Sequence, residues 1–256
     1  MNVIDVHAHI FPYRGVENDK AEIRQAMDLY HISRVYISCL DSMYPSEKEI
    51  NDLNDHTYDF CKEDPKRLRP YCYINPALSN AVDALRYGVE EHGAVGVKLW
   101  VAALCDNVLV NRIAEACIEY SIPLLIHAFQ KYNGILPDEN TGYNIATLAN
   151  RYPEAKIIMA HLGGDAYHGI KPVRNCMNVW TDFSGTNFRA GELEYTVKLL
   201  GAERVLFGTD MPPAPFLTNL GIVEDADISE SDKQDILWRN ACKLFDDPLD
   251  DMEVTV

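Results

Sequence analysis

The sequence predicts a parallel α/β fold, a single compact (β/α)8 barrel of the TIM type. Three observations predict it. Eight short apolar runs alternate with helix-like stretches, and such alternation calls for parallel strands joined by right-handed crossovers. The length, 256 residues, is that of one such barrel. Runs such as KIIMA and VLF carry no polar alternation, as expected of strands buried on both faces.

The elements follow in order. A first run at 3–6 precedes a helical pattern over 20–31 and a second run at 34–38 (RVYIS). A helix over 47–60 leads to the run 71–74, and one over 80–92 leads to 95–99. A helix over 108–120 precedes 123–126, and one over 143–151 precedes 156–160. A turn-rich piece leads to 179–183, a helix over 191–200 to the last run at 204–207, and a helix over 231–245 closes the chain. Ser231 is the expected cap of that helix, and Ile236, Leu237, Ala241, Leu244 and Phe245 form its apolar stripe. No Gly-rich phosphate loop follows the first run, which argues against a doubly wound nucleotide-binding sheet. With no linker, composition shift or repeat, residues 1–256 read as one domain.

Composition narrows the partners. A core of this size needs no disulfide or metal staple, so a metal site here would be chemical rather than structural. Lys and Arg number 23 against 39 Asp and Glu, a net charge of −16. That balance disfavours nucleic acid and anionic membranes, while a small anionic substrate responds to its pocket alone. The acidic stretch from Glu224 to Asp235 reads as a solvated face. Seven irregularly spaced cysteines without a CxxC pair read as reduced thiols in a cytoplasmic protein. No apolar run is long enough to span a bilayer, and the first residues lack the features of a signal peptide.

In a barrel the chemistry sits at the carboxyl ends of the strands, and there the titratable residues gather. The first run continues into Asp5, His7 and His9; later ends carry Lys98, His127, His161, Asp182 with Ser184, and Asp210. His7 and His9 share strand parity, so both imidazoles point to one side. With His127 and Asp210 they make a three-His, one-Asp donor set suited to Zn²⁺, with Mn²⁺ or Fe²⁺ as alternatives. Asp210 is also placed to take a proton from metal-bound water. His161 opens HLGG and reads as a further ligand or an acid–base group; Gly163 and Gly164 leave room for substrate or loop closure. Lys98 is open to three readings: a carbamate bridging two metals, a partner for a substrate carboxylate, or a buried lysine paired with an acid. Trp100 is rim packing or a stacking surface, and Asp5 orients a ligand or makes a structural hydrogen bond. Arg14, Lys131 and Arg174, on loops that also carry Tyr132, are candidates to bind a carboxylate. Met211-Pro212-Pro213 gives an extended exit from the last strand.

The motifs DVHAH, GVKLW, LLIHA, MAHLGG, VLFGTD and RNACKLF together resemble the amidohydrolase-related (amidohydrolase 2) metal-dependent hydrolases, including the aminocarboxymuconate-semialdehyde decarboxylase-like branch. The resemblance implies a distorted barrel holding one Zn²⁺. His7, His9, His127 and Asp210 match that family's ligands, and His161 its group that polarises substrate or activates water. Asn240 matches a structural asparagine, and the resemblance argues against a carbamate at Lys98. The family contains both hydrolases and nonoxidative decarboxylases of aromatic-type acids. The chain is shorter than many of those decarboxylases, with reduced helical insertions. The expected activity is therefore hydrolysis of an ester, lactone or amide of a small molecule by zinc-activated water, with decarboxylation of a small aromatic or unsaturated acid as the alternative. A homodimer is compatible with this reading.

Overall fold

A computed structural model describes residues 2–131, 136–185 and 189–249. The eight strands are β1 (Ile4–Ile10), β2 (Arg34–Cys39), β3 (Leu68–Tyr73), β4 (Gly96–Leu99), β5 (Leu124–Ile126), β6 (Ile157–Met159), β7 (Val179–Asp182) and β8 (Val205–Leu206). They lie in sequence order, each parallel to the next. The sheet closes between its first and last strands. The Val6 N–H donates to the Phe207 carbonyl at 3.0 Å, and beyond β8 the Asp210 and His9 N–H groups donate to the His7 and Met211 carbonyls at 2.7 and 2.9 Å. All eight anticipated strands are present. β1 runs further than its apolar stretch suggested, because its two histidines are themselves buried strand residues.

The outer ring contains α1 (Val16–Leu29), α2 (Glu47–Glu63), α3 (Ala81–His92), α4 (Asn111–Glu119), α5 (Gly142–Arg151), α6 (Ala166–Val173) and α7 (Glu192–Leu200). After β8 come α8 (Phe216–Asp225), α9 (Glu230–Gln234) and α10 (Asn240–Phe245), the last two joined by a wide turn at Asp235–Arg239. Two helices escaped the sequence reading. α6 carries Gly169 and Pro172 inside it, and α8 lies in the segment that holds Pro212, Pro213 and Pro215; Gly and Pro are helix-breaking signals. The cap of the closing helical segment is Ser229, whose hydroxyl accepts from the Asp232 N–H at 3.1 Å, rather than Ser231.

The barrel interior is filled by Ile4, Val6, Tyr36, Tyr71, Leu125, Ile158 and Leu206, and Leu244 of α10 closes it at the amino-terminal end. Beneath that plug, Asp247 accepts from Arg69 at 2.7 and 3.0 Å and from the Tyr36 hydroxyl at 3.0 Å, tying the chain's end to the strand starts. Asn240 donates to the Ala202 and Val205 carbonyls, a structural role. Leu125 is fully buried in this interior. Leu125→Ala is expected to cost about 2–5 kcal/mol in chemical denaturation; a loss well under 1 kcal/mol would mean the interior is loosely packed. All seven cysteines are free thiols, and among the described residues no helix is long and apolar enough to cross a membrane.

Candidate metal centre and active site

Strand parity places His7 and His9 side by side, with their Nε2 atoms 3.0 Å apart. Asp210 Oδ1 lies 3.3 Å from His9 Nε2 and 3.8 Å from His7 Nε2. Each imidazole has its other nitrogen engaged. His7 Nδ1 lies 3.0 Å from Asp182 Oδ2, and His9 Nδ1 lies 3.1 Å from the Ser38 carbonyl. Those acceptors draw the ring proton to Nδ1 and leave both Nε2 lone pairs facing Asp210. His7, His9 and Asp210 thus bring three donor atoms within 4.8 Å of one another, a metal-binding cluster at the carboxyl end of the barrel. The donor set fits a divalent cation of borderline character.

Burial governs the electrostatics. It lowers His7 to about 4, helped by the charge of Lys98, and carries His9 well below its ordinary value. Neutral imidazoles are the form that ligates metal. Burial pushes Asp210 up to about 7 against the opposing pull of Lys98; a bound cation would draw it back down. Asp182 is also desolvated, but His7 and Ser184 hold it below the usual carboxylate range. It further accepts the backbone N–H groups of His161 and Ser184, each at 3.0 Å.

Asp210 and His161 sit on left-handed backbone, with φ of +66° and +61°. A non-glycine residue there is strained by roughly 1–3 kcal/mol, and the surroundings must hold it. The bond from the Asp210 N–H to the His7 carbonyl does so for one, and the Asp182 bond to the His161 N–H for the other. Gly163 and Gly164 serve a different end from the one expected. A Cβ at Gly164 would come within 2.5 Å of the Gln130 nitrogen, and one at Gly163 within 2.8 Å of Gly169 Cα. The space they leave is taken by neighbouring backbone, so it is unavailable to substrate.

The structure sorts the remaining candidates. Lys98 is fully buried, and its Nζ donates to His7 Nε2 at 2.8 Å. Burial lowers it to about 8, with the charges of Asp210 and Asp182 opposing. His127 stands one ring away from the cluster: its Nδ1 lies 3.1 Å from His161 Nε2, and its Nε2 lies 3.0 Å from Glu139 Oε1. Lys131 donates to that same Glu139 oxygen at 2.7 Å. Arg14 is held outside by Asp19 and Glu22 at 2.8 and 3.0 Å, and Arg174 is exposed beyond the end of α6. Trp100 is part-buried and packs against the core. Asp5 accepts from the His7 backbone N–H and from Thr209, so it fixes backbone rather than a ring. Tyr132 lies outside the described residues.

Three contributors had no role assigned from sequence. Asp182 and Ser184 were visible as strand-end residues, but only barrel closure shows that they meet His7. Glu139 lies on the loop after β5, and no spacing rule marks a loop acid as the partner of a strand histidine.

A closed parallel barrel with a His-x-His pair on its first strand and an acid after its last defines a metal-dependent barrel enzyme. The chain belongs to the amidohydrolase family, whose model matches residues 4–246. Among curated proteins it is similar to a gamma-resorcylate decarboxylase of Polaromonas sp. strain JS666, 30% identical over 119 residues. That match takes in 38% of this chain and 36% of the relative's length. Among solved structures it resembles a 2,6-dihydroxybenzoate decarboxylase from Rhizobium, with a TM-score of 0.78, 16% identity, and coverage of 96% of this chain and 99% of that one. It also resembles a dihydroxybenzoic acid decarboxylase from Polaromonas sp. JS666 with bound manganese, with a TM-score of 0.76, 20% identity, and coverage of 96% and 97%. At such identities these structures establish the barrel alone.

The expectation of ester, lactone or amide hydrolysis is corrected here. The relatives with a named activity reported above are decarboxylases. The size argument against that chemistry also falls, since the superposition covers nearly all of the solved decarboxylase chains. Physically, the group set against the donor cluster is the buried amine of Lys98.

Proposed function

We propose that this chain is a metal-dependent nonoxidative decarboxylase of a small aromatic carboxylic acid. The observation that carries the reading is the fully buried Lys98 amine at 2.8 Å from His7 Nε2. A lone pair on His7 cannot serve both a cation and Lys98. Metal ligation therefore frees the ammonium to turn to another acceptor, and a substrate carboxylate is the natural one. The gamma-resorcylate and dihydroxybenzoate decarboxylases among the relatives support this substrate class over an aminocarboxymuconate-like one.

In this reading His7, His9 and Asp210 hold the ion, with His127, one ring away in this structure, as the fourth ligand it would recruit; the ion is Zn²⁺ or the Mn²⁺ named with one of the similar structures. When bound, it supplies a Lewis acid that polarises a substrate oxygen. Lys98 pairs with the carboxylate and orients the ring. Asp210 delivers a proton to the ring carbon that bears the carboxylate. The bond from that carbon to the carboxylate then breaks, CO₂ leaves, and the electron pair restores the aromatic ring. A proton from the solvent then returns to Asp210, so that one proton is consumed for each CO₂ released. His161, desolvated and kept neutral, polarises a ring hydroxyl or shuttles its proton.

The test is CO₂ release from hydroxylated benzoates by the Mn²⁺- and Zn²⁺-loaded protein, run beside a panel of lactones and amides. Lys98→Met is expected to lower kcat/KM for the acid about 10–100-fold, the worth of a hydrogen bond to a charged group, with bound metal unchanged. Turnover of a lactone or amide with no acid decarboxylated would overturn the proposal.

A further inference from the structure

We infer that Glu139 is a positioning residue of the site, one that sets which nitrogen His127 presents to it. The inference rests on the reading above only in taking His127 as part of the metal centre. Glu139 is 5% exposed and lies twelve residues beyond His127, on the loop that leaves β5. Its Oε1 lies 3.0 Å from His127 Nε2 and also accepts from Lys131 Nζ at 2.7 Å. Its Oε2 accepts the Leu136 N–H at 3.2 Å.

A carboxylate that takes N–H bonds on both oxygens, one of them from an ammonium, is an acceptor only. The proton of neutral His127 must then sit on Nε2, and the lone pair sits on Nδ1, the atom 3.1 Å from His161 Nε2. Without Glu139 the two tautomers would compete. The ring would also lose its hydrogen-bond partner at Nε2, keeping the contacts with the Phe129 and His161 rings. A carboxylate behind a ligating imidazole raises its basicity and holds its orientation, and its loss typically costs 10–100-fold in metal affinity. Lys131, whose ammonium also lies 5.2 Å from the Phe129 ring centre, keeps Glu139 charged and in place. That gives Lys131 a role other than binding substrate.

The experiment is ¹⁵N NMR of His-labelled protein, full-length and with or without Zn²⁺, together with chelator-competition measurement of Zn²⁺ affinity. In the wild type His127 should show a protonated Nε2 and an unprotonated Nδ1. Glu139→Gln keeps an acceptor oxygen and should keep that tautomer, with affinity within a few-fold of wild type. Glu139→Leu should show a protonated Nδ1 fraction and bind Zn²⁺ about 10–100-fold more weakly. A wild-type His127 protonated on Nδ1 would overturn the inference without recourse to any variant. So would a folded Glu139→Leu protein with wild-type tautomer and affinity. The expected tautomer and affinities in a protein that releases no CO₂ would leave this inference standing and remove the proposed reaction instead.

Discussion

Asp210→Asn is expected to leave a folded barrel whose kcat for decarboxylation falls about 10²–10⁴-fold, the usual worth of a positioned acid–base group. Apart from the charge it removes from the donor cluster, the substitution preserves the local geometry. Asparagine tolerates the left-handed backbone that residue 210 adopts at φ +66°, and the bond from its N–H to the His7 carbonyl survives. The amide keeps an oxygen toward His9 Nε2, where Asp210 Oδ1 lies at 3.3 Å. What disappears is the carboxyl that, in the proposed reaction, carries a proton to the substrate carbon. Single-turnover assays beside circular dichroism check this. A variant that turns over at the wild-type rate would remove Asp210 from the chemistry.

His7→Ala is expected to abolish tight metal binding. Losing a partner of a ligating histidine costs about 10–100-fold in affinity, and losing the ligand itself costs more. The same change strips Lys98 Nζ and Asp182 Oδ2 of the imidazole between them, which they contact at 2.8 and 3.0 Å. Asp182 still accepts the N–H groups of His161 and Ser184. The stability loss should therefore fall in the range of about 3–5 kcal/mol expected when a buried charged group, here Lys98, loses its partner. Metal content by mass spectrometry and a thermal melt separate the two effects. Unaltered metal content together with unaltered turnover would end the assignment of this cluster as the metal centre.

Much of the architecture was legible along the chain. Short apolar runs marked every strand, and some, such as KIIMA and VLF, lack polar alternation because a strand covered on both faces has no polar side to record. The positions of His7, His9, Lys98, His127, His161 and Asp210 at strand ends followed from those runs. What failed did so for identifiable reasons. α6 and α8 are written in or beside Gly and Pro, residues that read as helix breakers along the chain. The glycines of HLGG looked like room for a ligand, although they answer to the close approach of Gln130 and Gly169. The expected hydrolysis came from chain length and a generic zinc–water chemistry. Neither reports which charge faces the donor cluster.

The sequence by itself determined the barrel, the end of it that carries chemistry, and the residues able to ligate a metal. Period and residue type are local properties, and they are sufficient for that. Only the tertiary structure decided how those residues are wired. Lys98 is 91 positions from His7, and Asp182 is 175 positions from it. Glu139 reaches His127 across a loop. Each imidazole has two nitrogens, and the one it offers depends on what the other touches. That contact exists only once eight strands have closed into a ring and brought their ends within hydrogen-bond reach.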